Sequence, residues 1–60
     1  MIQPTEKDVG RQVVYTPIGM PHRAEEGVIT SFNEMCVFVR YGADTDSKGT
    51  MRKQLEWSHP

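Results

Sequence analysis

Residues 25–42, EEGVITSFNEMCVFVRYG, constrain the fold more than any other stretch, because two β-rich runs flank a short polar break at Asn33-Glu34. This pattern predicts an antiparallel hairpin. Alternation along the second run puts Val37, Val39 and Tyr41 on one side and Phe38 and Arg40 on the other, and the apolar set is expected to face a core. The register leaves two alternatives. A two-residue turn at Asn33-Glu34 sets Phe32 opposite Met35 and groups Val28 with Val37 and Val39; a three-residue loop ending at Met35 sets Phe32 opposite Cys36 and groups Ile29 with them instead. Glu resists the positive φ of a primed turn, which favours the longer loop.

Outside the hairpin the chain reads as short strands and loops. Residues 1–7 form a loose lead-in, Lys7 to Gly10 a turn, and 12–15 a first strand. Residues 16–24, TPIGMPHRA, carry Pro17, Gly19 and Pro21, a density that excludes a helix or central strand and makes a long, stiff loop outside the sheet. Strands at 26–32 and 36–41 follow, then a polar loop at 42–49, a returning fourth strand at 50–53 and a short fifth piece at 54–57. Residues 58–60 form a tail. No segment shows helical periodicity and nothing repeats.

Sixty residues allow one domain, 1–60 with the barrel at 8–57, which buries only about 60% of its unfolded surface. Cys36 is the only cysteine, so no intrachain disulfide forms, and within a β run it reads as a small hydrophobe. A reducing, cytoplasmic setting fits best. Residues 1–10 lack the apolar stretch of a secretory signal, and no run approaches the roughly 18 apolar residues of a membrane span, so no membrane partner is expected. Seven basic against eight acidic residues give a formal charge of −1, which argues against non-specific nucleic-acid binding as the default.

Four or five short antiparallel strands with a long first loop and tight later turns predict an all-β fold, a small and strongly bent sheet closing into a barrel. The progression Val9-Gly10-Arg11-Gln12-Val13-Val14-Tyr15, Glu26-Gly27-Val28-Ile29-Thr30-Ser31, Val37-Phe38-Val39-Arg40-Tyr41 and Leu55-Glu56-Trp57 resembles the SH3-like barrels of the Tudor and KOW type. It is also similar to a group of short phage and prophage proteins of unknown function that share the pattern VGR-VVY, EEGVITSFN, VFVRYG, LEW. The resemblance spans residues 8–57. It implies an SH3-like barrel encoded by a phage or prophage and acting in the host cytoplasm, and it implies no particular activity.

No motif carries catalytic or metal chemistry. The Asp44-Thr45-Asp46-Ser47-Lys48-Gly49 segment begins like a calcium loop, but its fifth place is Lys48 and its twelfth Leu55, where a carboxylate is needed. Lys48-Gly49-Thr50 has the glycine on the wrong side of the lysine for a phosphate loop, and Asp44 and Asp46 repel phosphate. His22, Cys36 and His59 are too scattered for zinc, so no cofactor or metal is expected. Ser31 and Ser47 lack a patterned base, and a domain this small has little room for a water-excluding pocket, so the chain is not expected to be an enzyme.

The aromatic and basic residues leave binding as the remaining role. Tyr41 and Trp57 are needed to fill so small an interior rather than to build a cage for a methylated lysine. Phe38 points outward beside Arg40, where it either packs under the proline-rich loop or meets a partner. Lys48, Arg52 and Lys53 form one basic group, and Arg11, His22 and Arg23 another. Either could touch a nucleic-acid backbone locally; as a plain edge, Arg52 and Lys53 discourage strand addition. The leading expectation is a non-catalytic protein-interaction module. Its candidate surface comprises Phe38, Arg40, Pro17, Ile18, Met20, Lys48 and Arg52, and a nucleic-acid-binding barrel is the alternative. A homodimer burying the Phe38 face is compatible with either.

Overall fold

The computed structural model describes residues 1–58 and is an all-β domain, an open sheet of five antiparallel strands. The strands are β1 (Gln12–Tyr15), β2 (Glu25–Phe32), β3 (Val37–Tyr41), β4 (Lys48–Thr50) and β5 (Leu55–Trp57), in the spatial order β4-β3-β2-β1-β5. Helical structure among the described residues is limited to single 3₁₀ turns at Glu6–Asp8, Pro21–Arg23 and Arg52–Gln54. The sheet does not close through hydrogen bonds between β4 and β5. Instead, Met51 and the Arg52–Gln54 turn carry the chain directly from one outer strand to the other. His59 and Pro60, part of the expected tail, lie outside the described residues. Ser58, also assigned to that tail, continues the β1–β5 pairing through its N–H to the Gln12 carbonyl at 3.1 Å.

Alternation along β3 places Val37, Val39 and Tyr41 in the core, as their apolar character requires. Ile29, Val13, Leu55 and Ile2 complete the buried set, with Tyr15, Phe32 and Trp57 packed against it. Val28 belongs to the outer face, where it pairs with Arg40 and with Gln12. Thr50 is buried beneath Tyr41, and their hydroxyl groups lie 2.7 Å apart, which satisfies both in the interior.

Neither hairpin register expected from sequence holds along the whole ladder. The loop has four residues, 33–36, and Phe32 faces Val37. Toward the other end Ile29 faces Val39, the pairing that belongs to the three-residue alternative. A bulge reconciles the two, because β2 spends one extra residue between Ile29 and Ser31 while β3 advances by one. Ile29 and Phe32 are three apart and would point to opposite faces of a regular strand; the bulge at Thr30 turns both toward the core. The Thr30 hydroxyl donates to the Phe38 carbonyl at 3.2 Å and also meets the Ser47 hydroxyl, so side chains pin the irregularity.

Two further expectations are corrected. The returning strand is β4, Lys48–Thr50, and residues 52–54 form a turn rather than a strand continuation. Thr50 sits opposite Val37, so the buried position sets the strand earlier than the polar loop suggests. The lead-in is not loose: Ile2 is only 2% exposed and its N–H reaches the Arg52 carbonyl at 3.4 Å. A chain with so few large apolar groups uses Ile2 to plug its core.

Candidate interaction surface

The seven candidate residues do not form one surface. Pro17, Ile18 and Met20 lie on the loop joining β1 to β2. Its shape follows from its residues: Gly19 takes φ +78°, the Met20 N–H closes a turn onto the Pro17 carbonyl at 3.0 Å, and the Arg23 N–H closes the next onto Met20 at 3.0 Å. Two consecutive turns leave Ile18 at the tip, 72% exposed, with Met20 exposed beside it. Pro17 is half-buried at the base.

Phe38 and Arg40 lie on the outer face of β3. Phe38 pairs with Ser31, six residues along β2 from Glu25, which at about 3.3 Å per residue is roughly 20 Å of strand from the point where the proline-rich loop ends. Its half-burial has a local cause. Gly49 pairs with it on β4, and a Cβ there would sit 3.6 Å from Phe38 Cε1 and 3.1 Å from Cys36 Sγ. The ring covers a side-chain-free position on an outer strand, the arrangement by which aromatics shield edge glycines. Arg40 is exposed and forms no salt bridge among the described residues.

Lys48 and Arg52 part company. Lys48 is exposed on β4, on the side of Val39 rather than of Phe38, and its ammonium lies 3.9 Å from Asp44. Arg52 is half-buried and serves the fold: its guanidinium donates to the Asn33 carbonyl and, at 3.3 Å, to the Glu34 carbonyl. Arg11, grouped with His22 and Arg23 from sequence, instead stacks 4.0 Å above the Trp57 ring and pairs with Asp8 at 2.9 Å. Asp8 also accepts from the Thr5 N–H at 2.8 Å, and these bonds hold its carboxyl below the ordinary carboxylate range.

Two open depressions border the sheet. The larger, about 390 Å³, is walled by Tyr41, Glu25, Glu26, Asp44 and Lys48; the smaller, about 220 Å³, lies on the outer face over Val28 between Glu26 and Arg40. Tyr41 and Tyr15 make a tilted pair with ring centres 5.8 Å apart. Burial pushes the Tyr41 hydroxyl above its usual pKa, opposed by its bond to Thr50. Among the described residues no three His, Cys, Asp or Glu side chains converge, and no helix is long and apolar enough to cross a membrane.

Met35, outside the seven candidate residues, stands out at the hairpin tip. The three-residue alternative already puts Met35 in the loop, and the loop is one residue longer, 33–36. Comparison with protein-family models, curated proteins and solved structures gives no match.

Proposed function

We propose that this chain is a non-catalytic protein-interaction module that docks a protein partner through the β1–β2 loop. The observation that carries the reading is Ile18, a large apolar side chain held in water at the tip of a loop fixed by two turns. Prepaid ordering of this kind lowers the entropic cost of binding. Met20 adds an adaptable apolar neighbour, and the outer strip of Phe38 and Arg40 forms a separate polar-aromatic patch available to a partner. The resemblance to short phage and prophage proteins supports a phage- or prophage-encoded factor working in the host cytoplasm.

The charge distribution supports a protein partner over nucleic acid. Of the basic side chains, Arg11 is engaged by Asp8 and Trp57, Arg52 by backbone carbonyls, and Lys48 lies near Asp44. Lys7, Arg23, Arg40 and Lys53 stand outside these contacts, and with a formal net charge of −1 the chain as a whole adds no attraction for a phosphate backbone.

A pull-down from host lysate, with and without nuclease, tests the reading. Capture that survives nuclease and is lost in an Ile18→Ser/Met20→Ser variant with an unchanged melt supports it. Capture abolished by nuclease selects the nucleic-acid-binding barrel instead. Sedimentation of the isolated protein shows whether a second copy is the partner.

A further inference from the structure

All four methionines lie at the surface: Met1 is 65%, Met20 46%, Met35 85% and Met51 52% exposed. The core is built from Ile, Val, Leu and Tyr and contains no sulfur. This inverts the common use of methionine as a filler of core gaps, and a thioether outside the core is open to aqueous oxidants.

Met35 is the extreme case, and its exposure is fixed by the backbone that carries it. The Asn33 side-chain oxygen accepts from the Met35 N–H at 2.8 Å and the Cys36 N–H at 2.9 Å. The Asn33 N–H donates to the Cys36 carbonyl at 3.0 Å, and Arg52 binds the Asn33 and Glu34 carbonyls from outside the loop. Phe32 and Val37 pair across the foot of the loop and pack in the core, and Met35, beyond them, is left in water.

We propose that Met35 is a reversible methionine-oxidation site. Its sulfur attacks one oxygen of a peroxide; the O–O bond breaks, an S–O bond forms, and hydrogen peroxide leaves as water. The sulfur loses two electrons and the peroxide gains them. The product is a polar, chiral sulfoxide at the hairpin tip. Because no core atom is involved, the fold persists through the change. Return requires a methionine sulfoxide reductase with a dithiol reductant, which takes the oxygen off as water and becomes a disulfide.

Limiting hydrogen peroxide followed by peptide mass mapping tests this on the intact protein, with Cys36 products scored separately. In the folded protein Met35 is expected to oxidise within about twofold of its rate in the guanidinium-unfolded chain, ahead of Met20, which should be slowed by folding. After exhaustive methionine oxidation of a Cys36→Ser variant, the circular dichroism melt should remain cooperative. Reductase with dithiol should restore the unoxidised mass at Met35. Strong protection of Met35 on folding, loss of the fold on oxidation, or failure of reductase to act on the folded protein overturns the assignment.

Discussion

At Gly27 the interior leaves no room for a side chain: a Cβ would lie 2.5 Å from Val39 Cγ1, 2.8 Å from Tyr41 Cδ1 and 2.9 Å from the Arg40 carbonyl. The last of these is backbone and cannot swing away. Gly27→Ala is therefore expected to destabilise by about 1–3 kcal/mol, read from the urea unfolding midpoint. Val39→Ala opens a cavity in the same region and should cost on the order of 1–3 kcal/mol. Phe38→Ser, on the outer face, loses a ring packed over Gly49 and should cost about 1 kcal/mol. Thermal melts rank the two, and greater damage from Phe38→Ser would mean that the ring, not Val39, holds the domain together. This pair of faces was legible in sequence because strict alternation over five residues leaves only two choices, and Arg40 decides between them.

Among the elements, the β2–β3 hairpin shows how side chains set backbone geometry. Asn33 satisfies two loop N–H groups, Thr30 pins the bulge, and Arg52 reaches from the β4–β5 connection to two loop carbonyls. Arg52→Met keeps the aliphatic stem but removes those donors. It should accelerate hydrogen exchange at the Met35 and Cys36 amides, with a loss of roughly 1 kcal/mol in global stability. Unchanged exchange would show that Asn33 alone holds the loop. The hairpin's existence was readable from its flanking β runs, whereas loop length and bulge were not. They follow from fitting both Ile29 and Phe32 against one core, which local propensity does not encode.

For the molecule as a whole, the residues before β1 act as a strap, tied by the Ile2 N–H to the Arg52 carbonyl and by the Gly10 N–H to the Ile29 carbonyl. Ile2 enters the core, and Arg11, held by Asp8, caps Trp57. Ile2→Ala should cost about 2–5 kcal/mol, a large share of what a domain this small possesses. A native-like melt would show that the strap is dispensable. Stability should also respond to pH at both extremes. Tyr41 has a folded pKa raised above 10.0 by burial, so its contribution is complete below that value and is lost as pH rises through the folded value. Tyr41→Phe should flatten the alkaline limb of a pH–stability curve. Asp8 has a lowered pKa, so its contribution is present above the ordinary carboxylate range and fades as pH falls through the folded value. Asp8→Asn should weaken the acid limb.

Sequence alone determined the all-β class, the inward face of β3, and the exclusion of residues 16–24 from the sheet. These are products of period-two alternation and of proline and glycine geometry, which act over a few neighbouring residues. Tertiary structure decided what those residues meet. Arg52 became a loop clamp rather than a free surface cation, Arg11 a cover for Trp57, and Phe38 a shield for Gly49. Ile2 became core although its surroundings in sequence are polar. Each of these outcomes joins residues at least 11 apart in the chain, at distances set only when the whole sheet bends. Local pattern carries no information about such pairings, because a side chain's partner is chosen by the space the other strands leave open.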